Sequence, residues 1–81
     1  MRLTWAFEGH GAGSDSVVDV DEAARRLHTA LVEVWPDIDA DSLVRLLAPV
    51  RMALVTDGAY AVARDQEWSI QRAGLLVTLS P

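Results

Sequence analysis

Near its C-terminal end the chain carries an almost continuous apolar run after Gly74, Leu75-Leu76-Val77-Thr78-Leu79. A run of this kind suits a strand buried on both faces in the middle of a sheet. With 81 residues there is room for one domain, residues 1–81, and one core, because so short a chain buries only a modest fraction of its surface. The closing strand therefore needs a neighbour on each side and a cover.

The first neighbour is legible at the opening. Leu3, Trp5 and Phe7 alternate with Arg2, Thr4, Ala6 and Glu8, the period-2 pattern of a half-buried strand. Gly9, Gly11 and Gly13 with Ser14 and Asp15 interrupt it before Val17 and Val18, which predicts a loose hairpin and a short second strand ending near Val18. The cover follows. Asp19 and Glu22 have the spacing of a capping box, and Val20, Ala23, Ala24, Leu27, Leu31 and Val34 form one helical stripe. Pro36 disfavours helical geometry at Trp35, so the helix is expected to end at about residue 34.

Asp37 to Ser42 offer caps for a second helix carrying Leu43, Leu46 and Leu47. Pro49 predicts that it is brief. Asp57-Gly58 lies between Met52–Thr56 and Ala59–Ala63, and Asp-Gly between two β-prone runs signals a tight hairpin. A polar segment holding Trp68 and Ile70 leads to the closing strand. These elements predict an α+β fold: a mixed sheet of four to five strands, one long helix packed on one face and a short second helix, with the last strand central and parallel to the first.

Composition narrows the chemistry. Cysteine is absent, which excludes disulfides, thiolate metal sites and a cysteine nucleophile, and gives no reason to expect an oxidising compartment. A cytoplasmic location is expected. No uninterrupted apolar run approaches the roughly 20 residues of a membrane span, and the opening residues lack a leader's apolar stretch. The net charge of −5 disfavours nucleic acid, whose affinity comes from Lys and Arg displacing counterions.

Several local patterns carry more chemistry on paper than in context. Gly9-His10-Gly11-Ala12-Gly13 is not followed by the helix and Lys of a phosphate cradle, and reads as a hairpin loop. Asp37, Asp39 and Asp41 have the opening spacing of a calcium loop, but Ser42 and Ala48 occupy the positions that need Gly and Glu, so helix capping explains them better. His10 and His28 are too few ligands for zinc, and His28 reads as a helix-surface residue. Trp5 and Trp68 fall at expected core positions, and Trp35 closes a helix. Ser14, Ser16, Ser42, Ser69 and Ser80 have no His and acid pattern that would make a nucleophile. No independent catalytic site, bound cofactor or metal is expected.

The order of elements, with Arg2-Leu3-Thr4-Trp5-Ala6-Phe7, the helix over Val20 to Val34, Val55-Thr56-Asp57-Gly58-Ala59-Tyr60 and Arg72-Ala73-Gly74-Leu75-Leu76-Val77-Thr78-Leu79-Ser80-Pro81, resembles the small subunit of molybdopterin synthase (MoaD-like proteins). These are ubiquitin-like β-grasp sulfur carriers. Val62 to Trp68 is also similar to the thiamin carrier (ThiS-like). The resemblance spans nearly the whole chain. It implies a carrier of a C-terminal thiocarboxylate for molybdenum cofactor biosynthesis. An E1-like adenylating enzyme would activate the C-terminus with ATP, and the large synthase subunit would receive the tail. It places Ala6, Tyr60 and Leu79 on the partner surface, with Ser80 and Pro81 as the approach to the tail. The family's diglycine is not among these residues: Ser80-Pro81 stand where its Pro-Pro precedes a short spacer and Gly-Gly. The alternatives are a thiamin-type carrier and a β-grasp interaction module with no covalent role.

Overall fold

The computed structural model describes Met1–Pro81. Strands β1 (Arg2–Phe7) and β2 (Gly11–Ser16) form a hairpin, followed by helices α1 (Val20–Val34) and α2 (Ala40–Ala53). A π-helical turn at Leu54–Gly58 joins α2 directly to α3 (Ala59–Ala63), and strands β3 (Trp68–Arg72) and β4 (Leu75–Ser80) complete the chain. The sheet order is β2-β1-β4-β3, with every neighbouring pair antiparallel. This is an α+β fold with a four-stranded antiparallel sheet.

One face of the sheet is dry. Leu3, Trp5 and Phe7 of β1 and Leu75, Val77 and Leu79 of β4 join Ala23, Ala24, Leu27 and Leu31 of α1 and Leu43, Leu47, Val50 and Leu54 of the second helix in a single core. The opposite face carries Arg2, Thr4, Ala6, Ser14, Leu76 and Thr78, and Arg2 donates to Ser14 Oγ at 2.9 Å.

The start of α1 has a clear local cause. The Glu22 N–H donates to Asp19 Oδ1 at 2.8 Å, meeting one of the helix's orphan donors. The Glu22 carboxylate accepts from the Val18 N–H at 3.2 Å, one residue before the cap residue to which a capping box usually returns. At the other end the Trp35 N–H reaches the Leu31 carbonyl, and the backbone leaves helical geometry there, as a residue before proline must.

Five expectations need correction. First, β1 and β4 are antiparallel, so the sheet is not mixed. The reason is the number of passes made by the helices. The last turn of α1 lies over the start of β2, with Val34 beside Gly11, and the π turn returns to the other end, where Gly58 meets Trp68 and Leu79. Two long helices bring the chain back to the end it left, so β3 runs with β1 and β4 runs against it. Second, residues 52–63 are helical, not a hairpin, and the second helix is not short: Ala40–Ala63 is continuous over 24 residues. Leu43, Leu47, Val50 and Leu54 are buried at helical steps, and the Trp68 ring packs on Gly58. Pro49 sits inside α2 and does not close it; it removes one ladder N–H without ending the helix.

Third, Trp68 and Ile70 belong to strand β3, not to a connecting segment. Fourth, β2 covers Gly11–Ser16; Val17 is buried just beyond it and Val18 is exposed. Fifth, β4 is central but not buried on both faces, because Leu76 looks outward while Leu75, Val77 and Leu79 look in. The β3–β4 turn consists of Ala73 and Gly74, both at positive φ (52° and 84°), the twist that a two-residue hairpin requires.

Candidate functional site

The residues that sequence resemblance assigns to a partner surface do not share a surface. Ala6 is exposed on the open face of the sheet, whereas Leu79 is fully buried on the face under the helices. Tyr60 is exposed on α3, where the Arg64 guanidinium stands 4.1 Å from its ring centroid. Ser80 Oγ donates to Glu67 Oε2 at 3.1 Å, and Pro81 is exposed. Leu76 is the large apolar side chain of the open sheet face; the rest of that face is small or polar.

The histidines also separate. His10 stacks on Trp35 at 4.5 Å and touches Phe7, sealing the hairpin end of the core. His28 lies on the exposed side of α1. Asp39 caps α2: its carboxylate accepts from the Ser42 N–H and the Ser42 hydroxyl, both at 2.8 Å. The Ser42 N–H, then its hydroxyl, hold the Asp39 carboxyl below its ordinary value. A carboxyl with a folded value below its unfolded one stabilises the fold above the unfolded value, and the contribution is lost as pH falls through the folded one. Acid titration below the ordinary carboxylate range is therefore expected to loosen the first turn of α2. Amide exchange at Ser42 should report it, and Asp39→Asn should keep the cap while abolishing that pH dependence.

A concavity lies between α1 and α2. It has a volume of about 500 Å³ and is open along one side, within the range of about 300–1,000 Å³ typical of ligand pockets. Leu27, Leu43 and Leu47 are buried beneath it, while Val44 and Met52 stand on its lip, 62% and 65% exposed. Arg25 and His28 rise from the α1 wall and Arg51 from the α2 wall, and no carboxylate lines it. In a chain with 12 acidic and 7 basic residues, the rim of this groove is locally cationic.

The π turn bounds one end of the groove, and Val55 of the turn lines it. Each π turn inserts an extra residue into the ladder, and here the Ala59 N–H reaches back to the Leu54 carbonyl. Leu54 is fully buried, and α1 approaches this turn more closely than it approaches α2 itself. The apolar cleft runs between α1 and α2 from Leu43 to Val55 of the turn.

Sequence periodicity had picked out Leu43, Leu46 and Leu47 but neither Val44 nor Met52. The available signal was a second apolar stripe, Val44, Ala48, Met52 and Val55, beside the buried one. A helix apolar over so wide an arc has more than one face to cover. Comparison of the chain with family models, with curated proteins and with solved structures finds no match.

Proposed function

We propose that this chain is a non-catalytic binding module that receives an apolar partner in the groove between α1 and α2. The observation that carries the proposal is the exposure of Val44 and Met52 on the lip of a 500 Å³ apolar cleft. The helix Ala40–Ala63 is long and apolar enough by length and composition to cross a membrane, yet little of it is buried in the fold. Arg45, Arg51 and Asp57 within it make it a poor span. An amphipathic helix bound in a concave cleft accounts better for its surplus apolar surface.

The experiment is a titration of the labelled protein with a neutral amphipathic peptide bearing leucines at i, i+3 and i+7. Amide shifts are expected to move along Leu43–Val55 and the facing turns of α1. Val44→Asp and Met52→Asp, both at exposed positions, should abolish them without changing the far-ultraviolet spectrum. Shifts confined to other surfaces would refute the module.

A second reading is favoured by the position of β4, which is central and leads to an exposed Pro81. In that reading the chain is a cytoplasmic β-grasp-like sulfur carrier, serving an adenylating enzyme with ATP and the large subunit of molybdopterin synthase. The antiparallel pairing of β1 with β4 and the helical state of Asp57-Gly58 remove two features on which the resemblance was drawn. The module is therefore preferred. Mass analysis of the native protein after incubation with an adenylating enzyme, ATP and a sulfur donor decides this reading. Exchange of one oxygen for sulfur supports the carrier, and an unchanged mass rejects it.

A further inference from the structure

The charge around the groove says more than its shape about what fills it. We infer that the partner is an acidic amphipathic helix of another protein, lying along the cleft with its apolar side chains on Leu43, Leu47 and Val55 and its carboxylates facing Arg25 and Arg51. This inference rests on the binding-module reading and names the class of partner.

Three observations select this occupant. The cleft is open along one side, so a small amphiphile in it would stay wet over much of its surface, whereas bound small ligands usually bury most of theirs. A helix covers the opening with its own body, and its i, i+3, i+4 and i+7 anchors match a cleft between two helices. Secondly, the cations stand on opposite walls, Arg25 on α1 and Arg51 on α2, and both are exposed. The arginine hydrogen bond in this structure is that of Arg2 to Ser14, so both rim guanidiniums keep their donors free for carboxylates on the two flanks of a seated helix. Thirdly, a second copy of this chain placed groove to groove would bring arginines together, which disfavours self-pairing.

Two peptides with the same leucine pattern, one flanked by glutamates and one by lysines, test the inference on the full chain by fluorescence anisotropy. The glutamate peptide is expected to bind at least about tenfold more tightly at low salt, since two charge pairs change from repulsive to attractive. The preference should shrink as salt rises. Arg25→Glu with Arg51→Glu, both at exposed positions, is expected to reverse the order. If that variant fails to fold, the two peptides on the unaltered chain still decide.

Equal binding of both peptides would overturn the acidic partner while leaving the groove a binding site. Saturable binding of dodecanoate, or sedimentation with phosphatidylglycerol vesicles, without binding of the glutamate peptide would overturn it in favour of a small amphiphile or a lipid surface. Failure of the neutral, glutamate and lysine peptides alike would overturn both the inference and the module.

Discussion

Leu79→Ala is expected to cost about 2–5 kcal/mol, the range for truncating a fully buried leucine. An 81-residue chain has a total stability of only about 4–12 kcal/mol at the usual 0.05–0.15 kcal/mol per residue. The melting temperature should fall by roughly 10 °C or more. Leu79 shows no solvent exposure and lies between Leu3 of β1 and Trp68 of β3. Its side chain also reaches Gly58 of the π turn. One truncation thus opens a void shared by the sheet, the π turn and the tryptophan that joins them. Leu76→Ala is the control: Leu76 is 42% exposed on the other face, and its loss should be nearly neutral. A Leu79→Ala protein that melts with the wild type would show that this strand does not face the helices. The same comparison separates a core role for Leu79 from a place on a partner surface, because a surface residue would change binding and not melting.

The fold was legible in the sequence wherever independent local signals agreed. At α1 the Asp19 cap, the apolar stripe and the stop before Pro36 all point to one helix, and it spans Val20–Val34. At β1 the alternation of Leu3, Trp5 and Phe7 leaves no other reading. Residues 40–63 failed because two strong local signals, Pro49 and Asp57-Gly58, stand inside a stripe whose leucine and valine spacing is helical. Tertiary packing overrides both: the stripe buries Leu43, Leu47, Val50 and Leu54, and a glycine at position 58 leaves room for the Trp68 ring. In β4, strand alternation sets Leu76 on the face opposite Leu75, Val77 and Leu79, but an apolar residue at that position hides the fact that its face is left uncovered. The groove was hidden by the same error. Once 40–63 is divided into a helix and a hairpin, Val44 and Met52 lie on different elements, and their common lip disappears.

Gly13→Ala should destabilise the fold by about 1–3 kcal/mol, the usual cost of forcing an extra group into a packed core. In isolation the change favours the folded chain, since glycine in a strand loses more backbone entropy than alanine. Packing reverses the sign. Gly13 pairs with Trp5 across the β1–β2 ladder, and the indole lies over it. A Cβ at position 13 would stand 2.8 Å from the indole Nε1 and 3.0 Å from Cε2 and Cζ2. Trp5 is only 5% exposed, so a rigid ring with little room to move must shift against the core. Urea denaturation should show a lower midpoint, and Trp5 emission should change. Trp5→Phe supplies the decisive comparison: phenylalanine lacks the indole atoms that the new methyl group would meet. In a double-mutant cycle the alanine is expected to cost less in the Trp5→Phe background than in the native one. Equal costs in the two backgrounds would mean that the glycine is not there to make room for the tryptophan.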